Sequence, residues 1–206
     1  MVYDGPVLDN HFHLNRRGLF LDAARDFKRV GGTDLVLVHC PDFSAPPETL
    51  QGHQAAYADT VSMAQSVRDE VGLGVRVVLG PHPAAFAHQF ERWVSEEGDA
   101  GKQRAVENYR HSIDAALSLI HEGKAHAIGE VGRPHWPVSD EVWALSNELL
   151  DETIDVGRLR AGAGADALDA RLVEHLQIVA LDGRHRVDDA FEPVELLVIH
   201  LDVLEH

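Results

Sequence analysis

Short apolar segments alternate with longer segments of helical periodicity up to about residue 155 of this 206-residue chain. Each apolar segment has the length of a strand, and in each segment that follows, apolar residues recur at three- and four-residue intervals. This alternation predicts a parallel sheet with helical crossovers, because parallel strands need a long connection between them. The predicted strands are residues 7–14, 34–39, 74–79 and 125–131, and the predicted helices are residues 16–30, 51–70, 86–96, 102–122 and 139–155.

Histidine or glutamate stands at or just after the end of every predicted strand. In parallel α/β folds the carboxyl ends of the strands form the edge at which ligands bind. His11 and His13 are two residues apart and therefore project from the same face of the first strand. Glu130, at the end of the fourth strand, could complete a site for a hard, hydrolytic divalent metal ion. His39 and His82 end the second and third strands, so the sequence predicts one functional edge.

Each of these side chains also has a structural interpretation. His11 and His13 could be surface histidines at a strand end, and Glu130 could be a solvated carboxylate. His82 lies between two prolines, where it either orients a substrate or bonds to the backbone of its own turn. Asp9 is interpreted as structural, because it points to the face of the strand opposite to the histidines.

The charge composition restricts the partners of the chain. The formal net charge is −16, and the sequence contains only three lysines. Such an acidic, lysine-poor surface predicts a halophilic source, because salt screens the repulsion between dense carboxylates. The sequence has no basic stripe for broad contact with nucleic acid, although a metal site could still receive a phosphodiester. A single cysteine and the lack of a long apolar run predict a cytoplasmic protein without membrane contact.

Three short motifs stand in a fixed order on three of the predicted strands. Asp-x-His-x-His ends with His13, Gly-x-His-Pro spans residues 80–83, and Gly-Glu-x-Gly spans residues 129–132. In this order and spacing, residues 7–155 resemble the TatD-related metal-dependent hydrolases of the amidohydrolase-like barrel superfamily. The resemblance implies a TIM-barrel-type (β/α)8 fold and a site that holds one or two divalent metal ions.

The resemblance also implies the chemistry of individual residues. His11, His13 and Glu130 would contact a divalent ion (zinc, magnesium or manganese), and His82 would be a catalytic residue beside the substrate. The expected activity is hydrolysis of phosphodiester bonds, as in a deoxyribonuclease, with a small molecule or a nucleic acid as the substrate.

The sequence after residue 155 has a different character. It is rich in alanine, glycine, arginine and aspartate, and it lacks the Pro-x-x-x-His strand that the family pattern would place there. An eight-unit barrel typically needs about 250 residues. We therefore expect an incomplete barrel of about four β/α units over residues 1–155, and an atypical, frameshifted or divergent segment over residues 156–206. This leaves a second interpretation open: a catalytically inactive remnant or partner-binding protein that forms homo-oligomers through an exposed sheet edge.

Overall fold

A computed structural model describes residues 5–163 and 196–200 of the chain. In this part, strands and helices alternate as the sequence predicts. The strands are β1 (Leu8–Phe12), β2 (Asp34–Val38), β3 (Gly74–Leu79), β4 (Ala127–Gly132) and β5 (Leu196–His200). The helices are α1 (Leu21–Arg29), α2 (Leu50–Ser66), α3 (Pro83–Glu97), α4 (Asp99–His121) and α5 (Asp140–Ala163), and a π-helical turn (Val67–Val71) follows α2.

Strands β1 to β4 are parallel neighbours in chain order and form a curled half-barrel with helices on its outer side. This confirms the predicted incomplete (β/α)8 architecture. Strand β5 departs from it, because it pairs with β4 in the antiparallel direction. A continuing (β/α)8 barrel would add a parallel strand at this edge.

The central strands are buried on both faces, as in other parallel sheets. In β2, Leu35 and Leu37 pack into the cluster that includes side chains of α2 and α4. Val36 and Val38 point the other way and form a separate inner cluster with Val78 and Ala127. Residues 35–38 are at most 1% exposed. The continuous apolar run of β2 therefore reflects two buried faces, since alternate side chains serve opposite sides of the sheet.

A second apolar cluster joins α3, α4 and α5 to β4. Its largest fully buried side chain is Trp93 of α3. The guanidinium carbon of Arg104 lies 4.2 Å from the centre of the Trp93 ring. Ser139 precedes α5 and caps it, since its hydroxyl accepts a hydrogen bond from the backbone N–H of Val142 (3.2 Å).

The first helix begins five residues later than predicted, at Leu21. The side chain of Asn15 accepts a hydrogen bond from the N–H of Arg17 (2.8 Å), and its carbonyl accepts one from Gly18 (3.0 Å). Asparagine side chains compete with helical hydrogen bonding in this way, so the chain forms a turn here before the helix starts.

The structure does not test the predicted division of the chain at residue 155 or the predicted oligomerisation. The division between residues 155 and 156 falls within α5, and most of the segment 156–206 lies outside the described residues, so this division stays a prediction. Strand β1 forms one edge of the sheet, with Leu8 half exposed. Oligomerisation through this edge likewise stays a prediction.

A membrane-spanning helix is absent from the described residues, because every helix there is too short or too polar to span a bilayer.

Gly80, just after β3, lies directly against Gly129 of β4. A Cβ atom on Gly80 would lie 2.9 Å from the backbone nitrogen and carbonyl carbon of Gly129. We expect Gly80→Ala to lower the free energy of unfolding by about 1–3 kcal/mol, because backbone atoms cannot rotate away from an overpacked methyl group. Urea denaturation measures this loss. Gly18→Ala is the matched control, since its Cβ would meet nothing closer than 3.5 Å; equal stability of the two variants would contradict the prediction.

Candidate metal centre

The carboxyl ends of β1, β3 and β4 bring four predicted site residues to one mouth of the half-barrel. The Nε2 atoms of His11 and His13 are 3.0 Å apart. Nε2 of His11 lies 3.5 Å from Oε2 of Glu130, and Nε2 of His82 lies 3.7 Å from the same oxygen. One ligand-type atom from each of His11, His13 and Glu130 falls within 4.8 Å of the others. The structure therefore assembles the predicted cluster from residues separated by more than a hundred positions in the sequence.

A local irregularity in β1 orients the two histidines. The pairing of β1 with β2 shifts register between Asp9 and Phe12. The carboxylate of Asp9 accepts a hydrogen bond from the backbone N–H of His11 (2.9 Å). Phe12 points to the opposite side, where its ring lies near Phe27 in the core. Asp9 thus shapes the strand end beside the cluster, in line with its structural interpretation.

The tautomer of His13 is set by the neighbouring strand. Nδ1 of His13 lies 2.9 Å from the carbonyl oxygen of Val38, which can only accept, so Nδ1 carries the proton. In the neutral ring, Nε2 then presents a lone pair to the cluster. A backbone carbonyl on the second ring nitrogen is the usual support of a metal-ligating histidine, because it fixes both the tautomer and the ring orientation.

Burial shifts the pKa values of the other two cluster residues, His11 and Glu130. Burial, followed by the nearby His13, lowers the pKa of His11, although Asp9 opposes this shift. Burial raises the pKa of Glu130, and His13 and His135 partly offset the rise. The side chain of Glu130 is only 13% exposed. His11 is therefore neutral at pH 7, as a ligand must be, and an adjacent cation would favour the ionised form of Glu130.

The donor atoms fit a divalent cation. Around a tetrahedral ion with bonds of about 2.0–2.1 Å, neighbouring donor atoms lie about 3.3 Å apart. The 3.0 and 3.5 Å separations at His11 bracket this distance. Unlike His13, His11 has no support at its second ring nitrogen, because its buried Nδ1 lacks a hydrogen-bond partner among the described residues. Two imidazoles and one carboxylate are donors that zinc and manganese both accept.

The ring of His82 contacts both the N-terminus of α3 and the carboxylate of Glu130. Its Nδ1 accepts a hydrogen bond from the backbone N–H of Ala84 (3.1 Å), so the ring caps the N-terminus of α3. Burial, followed by the charges of His13 and two further histidines, lowers the pKa of His82 to about 4. The neutral ring therefore carries its proton on Nε2, which faces Glu130. Both sequence interpretations of this residue, the backbone-bonded turn histidine and the group that faces the site, agree with these contacts.

His39 does not join the cluster, although it follows β2. Its Nδ1 lies 2.8 Å from the hydroxyl of Thr60 in α2, and its ring lies edge-on to Tyr57. Burial, followed by the charges of three nearby histidines, lowers its pKa to about 3. Among the described residues, the end of β2 therefore supplies no side chain to the metal-type cluster.

Two residues near the mouth were not predicted from the sequence. His135 influences the pKa values of both Glu130 and His82 through its charge. Phe43 lies edge-on to the ring of His82, at 5.0 Å between ring centres. His135 could have been predicted from the sequence, because it follows shortly after β4. The placement of Phe43 could not, because it depends on the fold of its loop.

Comparisons with known proteins identify the family to which the chain belongs. The family model described as TatD related DNase matches residues 8–159. An uncharacterized protein of Methanocaldococcus jannaschii is 30% identical over 157 residues, which cover 74% of this chain and 51% of that protein. The chain thus spans about half the length of this curated relative. No solved structure matches the chain significantly. The matched region contains all four residues of the cluster, and the chain belongs to the TatD related DNase family.

Proposed function

We propose that this chain is a metal-dependent hydrolase that cleaves phosphodiester bonds at the mouth of the half-barrel. The single observation that carries the proposal is the convergence of Nε2 of His11 with Nε2 of His13 and Oε2 of Glu130, in a group whose ligand-type atoms all lie within 4.8 Å of one another. The family supports hydrolysis in general. The phosphodiester specificity is our inference. A metal ion on these donors would supply positive charge for a phosphate group in an otherwise acidic protein.

His11, His13 and Glu130 would hold the divalent ion. When bound, such an ion lowers the pKa of water and polarises a phosphoryl oxygen. His82 would donate a hydrogen bond from its Nε2–H to an oxygen of the substrate, since its other nitrogen is occupied by the N-terminus of α3. The hydrogen bond from His13 to Val38 keeps one ligand in the required tautomer throughout.

Calorimetry and a simple chromogenic ester test the proposal. The full chain is titrated with manganese, zinc and magnesium, and then assayed with bis(p-nitrophenyl) phosphate. We expect heat of binding from at least one ion and hydrolysis that depends on it. Three protein ligands hold an ion less firmly than four, so weak binding is expected. A folded protein that binds none of the three ions would contradict the proposal.

The two roles of His82 can be separated by a matched pair of substitutions. His82→Asn keeps a helix-capping oxygen near the N–H of Ala84 but removes the Nε2–H group. We expect hydrolysis to fall about 100-fold, as on loss of one preorganised donor, with little change in stability. His82→Ala should show the same loss of activity and in addition about 1 kcal/mol lower stability, since the cap is also lost. Unchanged kcat in His82→Asn would exclude the donor role.

One observation favours the alternative of an inactive remnant or partner-binding protein. Strand β5 takes the edge of β4 in the antiparallel direction, where the barrel pattern calls for a parallel strand. The two functions differ in a measurable way: a remnant keeps the fold and fails to bind metal, whereas the hydrolase binds metal and turns over the ester.

A further inference from the structure

A partly enclosed cavity lies directly behind His82, between the loop after β2 and helices α2, α3 and α4. The space between its walls, including the open mouth, measures about 380 Å³. None of its lining residues carries a carboxylate, an ammonium or a guanidinium group. Prolines and the aromatic rings of Tyr57 and Phe86 form much of the wall, and His39 and His53 are part of the lining. The cavity thus shares His82 with the metal-type cluster but differs from it in charge.

The hydrogen-bond network fixes the tautomer of His39. The hydroxyl of Thr60 donates to the carbonyl of Ala56 (3.3 Å), so its oxygen accepts a hydrogen bond from Nδ1–H of His39 (2.8 Å). Nε2 of His39 then carries a lone pair. The low pKa of His39, about 3, keeps the ring neutral.

A second network fixes the tautomer of His53. The amide nitrogen of Asn108 donates to the carbonyl of Pro47 (3.1 Å) and to the side-chain oxygen of Gln89 (3.2 Å). The amide oxygen of Asn108 therefore accepts from Nε2–H of His53 (3.1 Å), which leaves a lone pair on Nδ1. Burial also lowers the pKa of this histidine.

These two lone pairs are accessible. Neither Nε2 of His39 nor Nδ1 of His53 has a hydrogen-bond partner within the described part of the chain. Neither is among the fully buried polar atoms that lack a partner, so both atoms still reach solvent. Both rings are more than 90% buried and line the same cavity. The cavity therefore offers two hydrogen-bond acceptors between apolar walls.

We propose that this cavity is a binding subsite for an uncharged, planar group that donates hydrogen bonds, such as an amide or an aromatic amine of the substrate. An anion would face two lone pairs with no cation beside it, and a purely apolar group would leave both acceptors without a partner. The role of the subsite in selecting a substrate depends on the proposed hydrolase function. Its ability to bind such a group does not.

Binding is tested in metal-free protein, so that failure of the hydrolase proposal does not affect the result. The full chain is labelled with ¹⁵N-histidine and titrated with benzamide, which has two N–H donors on a planar group. We expect the resonances of the two bare nitrogens, one in His39 and one in His53, to shift together. N,N-dimethylbenzamide has the same ring without donors and should bind at least three- to tenfold more weakly, as for loss of one hydrogen bond.

Two substitutions keep the structural hydrogen bonds and remove the imidazole nitrogen that carries the free lone pair. His39→Asn retains a donor toward Thr60, and His53→Gln retains a donor toward Asn108. Each should weaken benzamide binding about three- to tenfold. His121→Gln, at the exposed end of α4, is the control and should bind benzamide normally.

The sources of the donor group are separated by comparing cytidine, which presents an aromatic amine, with acetamide, which presents an uncharged amide. Binding of at least one of them in competition with benzamide supports the proposal, and the tighter of the two identifies the kind of group. The proposal is overturned if benzamide leaves both histidine resonances unshifted up to its solubility limit. It is equally overturned if the dimethyl compound binds as well as benzamide, because the cavity would then select shape and not donors.

Discussion

Replacing Glu130 with glutamine is expected to weaken metal binding by more than about 100-fold, beyond the loss usual for an outer-shell partner, and to reduce phosphodiester hydrolysis to background. The amide has the shape of the carboxylate but no negative charge, and it would stand 3.5 Å from Nε2 of His11. His11→Ala should have the same effect through loss of a nitrogen ligand. Titration calorimetry and the chromogenic ester assay measure both quantities on the same protein preparation.

The stability of Glu130→Gln distinguishes loss of a ligand from loss of the fold. Burial raises the pKa of Glu130, which shows that the charged form is unfavourable where it stands. We therefore expect the free energy of unfolding without metal to be unchanged or slightly higher, because a neutral amide is cheaper to bury than a carboxylate. His121→Ala, far from the mouth, should retain wild-type binding. Unaltered metal affinity in Glu130→Gln would show that the ion is held elsewhere.

Mild acid is expected to destabilise the protein through His39. Its pKa is about 3 in the folded chain against 6.5 as the ordinary value, so between these values only the unfolded state takes up the proton. Stability is therefore complete above about pH 6.5 and decreases as the pH falls toward 3. At about pH 5 this one residue should account for a loss of about 2 kcal/mol. Urea denaturation at a series of pH values provides the measurement.

His39→Asn is the matched variant for the acid effect. Asparagine does not titrate in this range and retains a donor toward Thr60. The decrease in stability between pH 8 and 5 should be about 2 kcal/mol smaller in the variant than in the natural chain. If the two proteins lose stability in parallel, His39 is not the group responsible.

The site and the fold differ in how far they could be predicted from the sequence. Strand β3 was predicted with its observed bounds, because its apolar run ends at a Gly-Pro pair. The meeting of His11 with Glu130 follows from strand polarity together with the barrel curvature that the family resemblance implies, because β1 and β4 are three strands apart in the sheet. These inferences depend on local pattern and on a general rule of topology.

Other features depend on partners that are distant in the sequence. His39 turns away from the cluster because Thr60, on the next helix, offers it a buried hydroxyl. The proton position on His13 depends on a carbonyl 25 residues away. The register shift in β1 and the close approach of Gly80 to Gly129 are likewise properties of paired strands. The pattern of apolar residues within one segment cannot predict contacts between residues that are distant in the sequence.

Because His82 caps α3, one backbone amide proton reports on the structure of the mouth of the half-barrel. The N–H of Ala84 is held by the same ring whose other nitrogen faces Glu130. Whenever that ring swings away, this amide loses its acceptor and becomes free to exchange with solvent deuterium. The exchange rate at Ala84 therefore reports how often the mouth is disassembled, and it does so in protein that has neither metal nor substrate.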